Sequence, residues 1–141
     1  MMATRRRINA AFLLGVAVLA RPGCVSVNGP SGALPPGFWG GDHIQIEVRA
    51  SLVRVEFDCA HGSINVPILL NDGDFLANGT FTHEKGGPII PGEEERPQPA
   101  RYGGRVAGER MSITVILIDE ARAIGTFELL RGRNGRVFKC Q

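Results

Sequence analysis

The sequence predicts an all-β domain of eight antiparallel strands joined in an up-and-down meander. Apolar residues alternate with polar ones in segment after segment, which is the period of a strand that buries one face. Turn sequences such as Asn71-Asp72-Gly73 separate these segments, so that neighbours in sequence are expected to pair. Eight strands with one apolar face each can close into a barrel, and a two-sheet sandwich is the alternative that the same alternation allows.

The first three strands follow one another closely. Strand one is predicted over 44–49 and strand two over 52–58, with Ala50-Ser51 as the turn of a hairpin. Strand three is predicted over 62–70, where Pro67 removes a ladder donor and indicates a bulge or an unpaired position. The apolar face of the hairpin consists of Ile44, Ile46 and Val48, then Val53, Val55, Phe57 and Cys59.

Five more strands complete the meander. They are predicted over 74–82, 101–107, 110–118, 122–130 and 136–140. The connections are short except for 83–100, which contains Gly86-Gly87-Pro88 and the acidic run Glu93–Glu95. Such a long loop is either a solvated excursion or a lid or contact loop, since long loops on small scaffolds often carry function.

The first twenty residues are predicted to be a signal peptide. Arg5–Arg7 precede an apolar run, Ile8–Ala20, that is too short to span a bilayer comfortably, and an uncleaved anchor is the alternative. Cys24 follows a small residue, as at the lipidation site of bacterial lipoproteins, and is therefore a lipidation candidate. The expected location is periplasmic or secreted, with a lipid-anchored form as the alternative.

Residues 21–37 are rich in Gly, Pro and Ser and are predicted to be a tether, which leaves 38–141 as the folded domain. Removing 1–20 takes three of the sixteen basic residues and none of the fourteen acidic ones, so the remainder has a formal charge of −1. Without a basic surplus, no nucleic-acid partner is expected. Membrane contact is expected only through the signal peptide or a lipid on Cys24.

Three cysteines in an exported chain predict one disulfide and one unpaired residue. Cys59 continues the apolar face of strand two and Cys140 that of strand eight, and both strands run toward the same end of a meander. We therefore expect Cys59 to pair with Cys140. Strand one would lie between them in a closed barrel and hold them about 10 Å apart, so the chain has to bend across it. Two buried free thiols are the alternative.

Counting strand directions also places all three histidines, His43, His61 and His83, at one end of the meander. Imidazoles and carboxylates together can form a zinc or an acid–base site, but no metal-binding spacing is present. Solvated turn histidines are therefore the favoured interpretation, and neither a metal nor a cofactor is expected. The acidic residues predicted at this end are Asp42, Asp58, Glu84, Asp119 and Glu120.

Gly37-Phe38-Trp39, ahead of an eight-stranded meander with a basic last strand, resembles the calycin superfamily of lipocalin-type barrels. The resemblance implies that Trp39 plugs one end of the barrel and stacks near Arg136 or Lys139. An ordinary core aromatic is the alternative for Trp39. The stretches 39–43 and 57–62 also resemble small exported bacterial proteins, a likeness that implies no activity.

No nucleophile motif, phosphate loop, dinucleotide fingerprint or calcium loop is present, so a non-enzymatic function is predicted. The expected protein is an exported barrel that binds a small apolar molecule in its mouth or an envelope protein at its histidine end. One alternative is a metal-binding or hydrolytic protein that uses the three histidines. Another is a structural envelope protein with a barrel filled by Phe57, Phe75, Phe81, Phe127 and Phe138. The candidate ligand or partner residues are Trp39, His43, His61, His83 and Tyr102.

Overall fold

A computed structural model describes residues 29–64, 67–88, 90–92 and 94–140. Within these ranges the chain forms ten strands and no helix. The strands are β1 (Gly32–Ala33), β2 (Gly37–Gly41), β3 (Ile44–Val48), β4 (Val53–Phe57), β5 (Ala60–Ile64), β6 (Leu69–Leu70), β7 (Asp74–His83), β8 (Gln98–Ala107), β9 (Arg110–Leu117) and β10 (Arg122–Arg131).

Eight of these strands close into an antiparallel barrel in the order β10-β2-β3-β4-β5-β7-β8-β9. Each barrel strand pairs with the next barrel strand along the chain, and β10 returns to pair with β2. The two remaining strands, β1 and β6, form a small sheet of their own. The predicted all-β up-and-down barrel is thus confirmed in preference to the sandwich.

One of the eight barrel strands was not predicted, and one predicted strand is not in the barrel. The barrel begins with β2, whose Gly40 and Gly41 hide the alternation by which a strand is found in sequence. The predicted last strand, 136–140, is not part of the wall, and only Arg136 forms an isolated parallel bridge, to Asp42. The reason is geometric: β2 already has β3 on one side and β10 on the other, so that the residues after β10 cross the outer face of β2 instead of pairing beside it.

Part of the predicted tether belongs to the fold. Leu34 is buried and its N–H donates to the carbonyl of Ile68 at 2.8 Å, so residues 29–36 lie against one end of the barrel. The single buried side chain of Leu34 anchors this segment, although its Gly- and Pro-rich composition predicts no ordered structure. The predicted signal peptide 1–20, the tether residues 21–28 and the lipidation candidate Cys24 lie outside the described residues. No helix among the described residues is long and apolar enough to cross a membrane.

The barrel has two distinct ends. The turns at 42–43, 58–59 and 118–121, together with the described residues 84–88, 90–92 and 94–97, form what we call the histidine end. The opposite end is covered by residues 29–36 and the small sheet, and we call it the tryptophan end because Trp39 packs there.

Apolar side chains fill the barrel interior. Phe57 packs against Phe81 and Phe127 at the histidine end, with ring centroids 5.2 and 5.7 Å apart. Phe138 was predicted to join them, but it lies outside the barrel and its side chain is 67% exposed. Tyr102 is completely buried and its hydroxyl donates to the carbonyl of Thr80 at 2.6 Å, so its side chain is part of the barrel core. Other core residues are Trp39, Ile44, Ile46, Val53, Val55, Ile64, Phe75, Ala100, Met111, Ile113, Val115, Leu117 and Leu129.

Candidate functional site

The last described residues, 132–140, run along the outside of the barrel as a C-terminal strap. Backbone hydrogen bonds hold this strap to the turns of the histidine end. The N–H of His43 donates to the carbonyl of Arg136 at 2.8 Å, and the N–H of Cys59 donates to that of Phe138 at 3.0 Å. The strap thus links two turns that the meander itself leaves separate.

Gly40 leaves room for the strap on the outer face of β2. A Cβ at this position would overlap the backbone of Arg133, Asn134 and Gly135, so any larger residue would push the strap off the wall. The glycine pair that conceals β2 in the sequence therefore has a packing role in the structure.

Cys59 and Cys140 form a disulfide, as predicted, with Cα atoms 4.8 Å apart and a sequence separation of 81. The route differs from the one predicted. Cys59 lies in the turn after β4, and Cys140 arrives on the strap outside the wall. The intervening strand is no obstacle, because the strap passes over it. The bond is compatible with an exported protein, since disulfides persist in oxidising compartments.

A charged network lies under the strap around Lys139. Its Nζ atom lies 2.8 Å from Glu84 Oε1 and 2.5 Å from Glu56 Oε2, and it donates to the carbonyl of Ala60 at 3.0 Å. Burial lowers the pKa of Lys139, but its hydrogen bonds to Glu56 and Glu84 outweigh burial and raise the pKa above its ordinary value. His61 Nδ1 joins this network 3.1 Å from Glu84 Oε1.

Burial likewise raises the pKa of Glu84, but hydrogen bonds from Lys139 and His61 outweigh it and hold the pKa below the ordinary value. The pKa of Asp58 is also lowered: burial raises it, and the bonds from Phe138 N–H and His43 outweigh that effect. Asp58 Oδ1 accepts from Phe138 N–H at 2.8 Å, and its Oδ2 lies 2.5 Å from His43 Nδ1. These carboxylates therefore hold the strap in place.

The three histidines do lie at one end of the barrel, as the strand directions predicted. They nevertheless point to different places. His61 pairs with Thr82 on the outer face, His83 packs edge-on against Phe81 with ring centroids 5.0 Å apart, and His43 lies in a turn with a φ of 67°. The described part of the chain contains no group of three His, Cys, Asp or Glu side chains that could hold a metal.

An open groove of about 470 Å³ lies beside the strap, along β10. It exists because β2 has five residues and β10 has ten. The two strands pair only over Leu129–Arg131, so that Arg122–Glu128 has β9 as its one partner strand in the described part of the chain. The groove is lined by Gly40, Gly41, Asp42, His43, Arg110, Thr126, Phe127, Glu128, Leu129, Leu130 and Arg133.

Thr126 carries the free backbone groups of this edge. The N–H of Gly132 donates to the carbonyl of Phe38 in β2 at 2.7 Å. In an antiparallel strand, the N–H and C=O of every second residue point to the same side. The backbone groups of Leu130, Glu128 and Thr126 therefore point toward the β2 side, as the N–H of Gly132 does. Pairing with β2 ends at Leu129, so the N–H and C=O of Thr126 point into the groove without a β2 residue opposite.

Comparison with known proteins returns no match: no protein family, no curated relative and no solved structure is similar to this chain. The calycin resemblance therefore stays a prediction.

The basic neighbour that the resemblance implied for Trp39 is not where it was expected. Arg136 pairs with Asp42 and Lys139 with Glu84, both at the histidine end. Arg131 of β10 instead stands directly opposite Trp39. The expected side chains lie elsewhere because residues 136–140 form the strap rather than a barrel strand.

Sequence reasoning missed the groove residues Thr126, Arg110 and Arg133, and it missed Arg131. The signal that could have found them is a mismatch in length. A ten-residue strand that closes a barrel on a five-residue strand must leave part of its edge unpaired. This mismatch in length is visible only when 37–41 is identified as a strand.

Proposed function

We propose that the protein is a non-enzymatic exported β-barrel that binds an extended segment of a protein partner in the cell envelope, along the open edge of β10. The observation that carries this proposal is the stretch Arg122–Glu128, which pairs with β9 alone among the described strands and whose Thr126 N–H and C=O face a groove. An extended segment that adds to a sheet edge gains main-chain hydrogen bonds, which supply affinity.

Apart from one bulge, the edge lacks the devices that usually protect exposed strands. Natural edge strands carry proline or lysine, or are covered by another element. The stretch Ile124–Phe127 contains neither residue, and it is uncharged. A bulge between Ala123 and Gly125 is its one irregularity. A binding role accounts for an edge that a purely structural barrel would be expected to block.

The groove also favours acidic residues in the partner. Arg110 and Arg133 line it, and neither forms an ion pair with a described residue. Asp42 is already paired with Arg136, whose hydrogen bond lowers the pKa of Asp42. Glu128 is then the one unpaired carboxylate on the lining, opposed by two guanidinium groups. Complementary charge of this kind steers association and sets register more than it adds affinity.

The other functions considered have less support. Capture of an apolar molecule inside the barrel requires an interior that side chains do not occupy, and here Phe57, Phe81 and Phe127 pack together at the histidine end. A metal or hydrolytic site requires convergent ligands, whereas His43 and His61 are each hydrogen-bonded to a carboxylate of their own. Export through a signal peptide over 1–20, to the periplasm or the medium or to a lipid anchor at Cys24, belongs to the same proposal.

Site-specific photo-crosslinking tests the proposal. A photo-crosslinking amino acid in place of Glu128, at the groove, is expected to trap one discrete partner in the native host. The same probe in place of Arg54, an exposed residue of β4 that pairs with both β3 and β5, is expected to trap none. Thr126→Pro removes the free edge donor and the hydroxyl that bonds to Thr114 of β9 at 2.7 Å, but no backbone bond to β9, and it should suppress the cross-link from position 128.

Two results would contradict the proposal. One is a cross-link of equal yield from positions 128 and 54. The other is an unchanged cross-link in Thr126→Pro, provided that this variant keeps the melting temperature of the parent protein.

A further inference from the structure

The tryptophan end contains a crevice that the proposed function does not use. Its volume is about 210 Å³, and it lies where residues 30–35 meet the barrel. Leu34, Trp39 and Val106, which form part of its wall, are at most 4% exposed and belong to the core. The wall is therefore fixed by barrel packing. Its full lining is Pro30, Leu34, Pro35, Trp39, Leu70, Val106, Gly108 and Arg131.

Arg131 is the one charged residue on this apolar wall. It pairs with Trp39 across the strands, so that the two side chains leave the sheet on the same side. Its Nη1 atom is 3.9 Å from Glu109 Oε1, which is longer than a hydrogen bond. Glu109 is 72% exposed and loses little if Arg131 turns toward another acceptor. The guanidinium therefore keeps its donors available beside an apolar surface.

A second polar group of the crevice wall also lacks a partner. Trp39 is 1% exposed, and its Nε1 atom has no hydrogen-bond partner in the structure. A buried donor left without an acceptor costs on the order of 1–3 kcal/mol, and a water or a bound group that supplied an acceptor would remove this cost.

We infer that the crevice binds a small apolar molecule that carries a carboxylate. The apolar body would lie against Leu34, Trp39 and Val106, and the carboxylate would accept hydrogen bonds from Arg131. Arginine forms charge-assisted, often bidentate, bonds to carboxylates, and these are stronger beside an apolar wall than in water. The volume equals that of roughly seven liquid water molecules, which suits a medium-chain or aromatic carboxylate rather than a long-chain lipid.

Trp39 is the only tryptophan of the chain, so its fluorescence reports on the crevice directly. The exported protein is titrated with octanoate, with octylamine of opposite charge and with neutral 1-octanol. We expect a saturable change with octanoate and an affinity for it at least about tenfold above that for octylamine, as a charge-assisted hydrogen bond implies.

Arg131→Met keeps an apolar side chain of similar length and removes the charge. It should weaken octanoate binding by about tenfold or more and leave octanol binding within about twofold. Arg122→Met, at the other end of β10, is the matched control and should leave octanoate binding unchanged. Glu109→Gln removes the competing carboxylate and should strengthen octanoate binding.

The inference is overturned if octylamine binds as well as octanoate, or if no saturable change occurs up to about 10 mM octanoate. It is also overturned if folded Arg131→Met binds octanoate as the parent does. If Arg131→Met fails to fold, Glu109→Gln decides, and unchanged or weaker octanoate binding in that variant rejects the site. Because this crevice and the β10 groove lie on different parts of the barrel, the cross-linking and fluorescence results are independent.

Discussion

At the scale of single residues, Lys139 shows how the strap is held by charge. Its ammonium group bridges Glu56 and Glu84 and also donates to the carbonyl of Ala60. The Lys139 and Glu56 side chains are 39% and 31% exposed, whereas that of Glu84 is only 19% exposed. Solvent screening therefore limits the contribution of each ion pair to the free energy of unfolding. The main effect of the network is to fix the position of the strap.

The first prediction concerns the pH dependence of this anchor. Glu84 has a lowered pKa in the folded protein, so its contribution is present above the ordinary pKa of 4.5 and is lost as the pH falls through the lower, folded value. Lys139→Met should therefore reduce the free energy of unfolding at pH 7 by about 1 kcal/mol, and the difference from the parent should shrink below about pH 4. Urea unfolding of both proteins at several pH values measures this difference in the free energy of unfolding.

Arg101→Met is the matched control for this experiment, since Arg101 is exposed and forms no ion pair with a described residue. A difference between Lys139→Met and the parent that stays constant between pH 7 and pH 3 would show that the carboxylates do not anchor the strap.

The second prediction concerns Gly40. Gly40→Ala should destabilise the protein by about 1–3 kcal/mol, because the added methyl group overlaps the strap backbone and the strap must move. Gly103→Ala is a suitable control on the outer face of β8, where the new methyl group meets only the flexible end of Leu76 at 3.2 Å. Thermal unfolding compares the two. Equal losses in both variants would mean that the strap does not lie tightly on Gly40.

At the scale of elements, the difference in length between β2 and β10 creates the groove, and the strap forms one wall of it. Arg133 of the strap lines the groove, and Arg136 holds Asp42 of the facing turn at 2.7 Å. The disulfide at Cys140 fixes the far end of the same segment. The groove therefore depends on an element that is not a strand.

The third prediction is that Cys140→Ser lowers the melting temperature by more than about 10 °C. A bond that closes a loop of this length contributes on the order of 4 kcal/mol in the chain-entropy model, and each kcal/mol shifts the midpoint by roughly 4–8 °C in a small domain. Cys24→Ser should leave melting unchanged. Equal melting of the oxidised and reduced parent would contradict a stabilising role for the bond.

The fourth prediction concerns amide hydrogen exchange along β10. Because the N–H of Thr126 faces the groove, it should exchange much faster than that of Phe127, which faces β9. Exchange measured by NMR on the partner-free protein tests this alternation. Equal protection of both amides would show that another segment already covers the edge.

At the scale of the whole molecule, both candidate sites lie on the outside of the barrel. Phe57, Phe81 and Phe127 pack together at the histidine end, and Trp39 packs at the other. The groove and the crevice both open on the surface.

The fifth prediction concerns the mature chain. Protein purified from its own host should begin near Arg21 or, if lipidated, at Cys24, and its intact mass should show one disulfide. Intact-mass measurement before and after reduction reports all three features. An amino terminus at Met1 would contradict the proposed export.

The alternation of apolar residues was enough to predict the barrel, because burying one face of each strand requires it whatever the order of the strands. It also predicted that His43, His61 and His83 lie at one end of the barrel, since the end at which a turn residue lies depends only on the directions of the strands beside it. The Cys59–Cys140 pair was found for the same reason, although along a different path.

Only the tertiary structure decided which strand closes the barrel. Gly40 and Gly41 carry no side chains, so β2 has no pattern that a sequence can display, and the strand is defined by its pairing with β3 and β10. The open edge at Thr126 depends on that pairing, as does the position of Arg131 opposite Trp39. Both candidate sites arise from register between distant segments, and register is a property of long-range contacts that local periodicity does not encode.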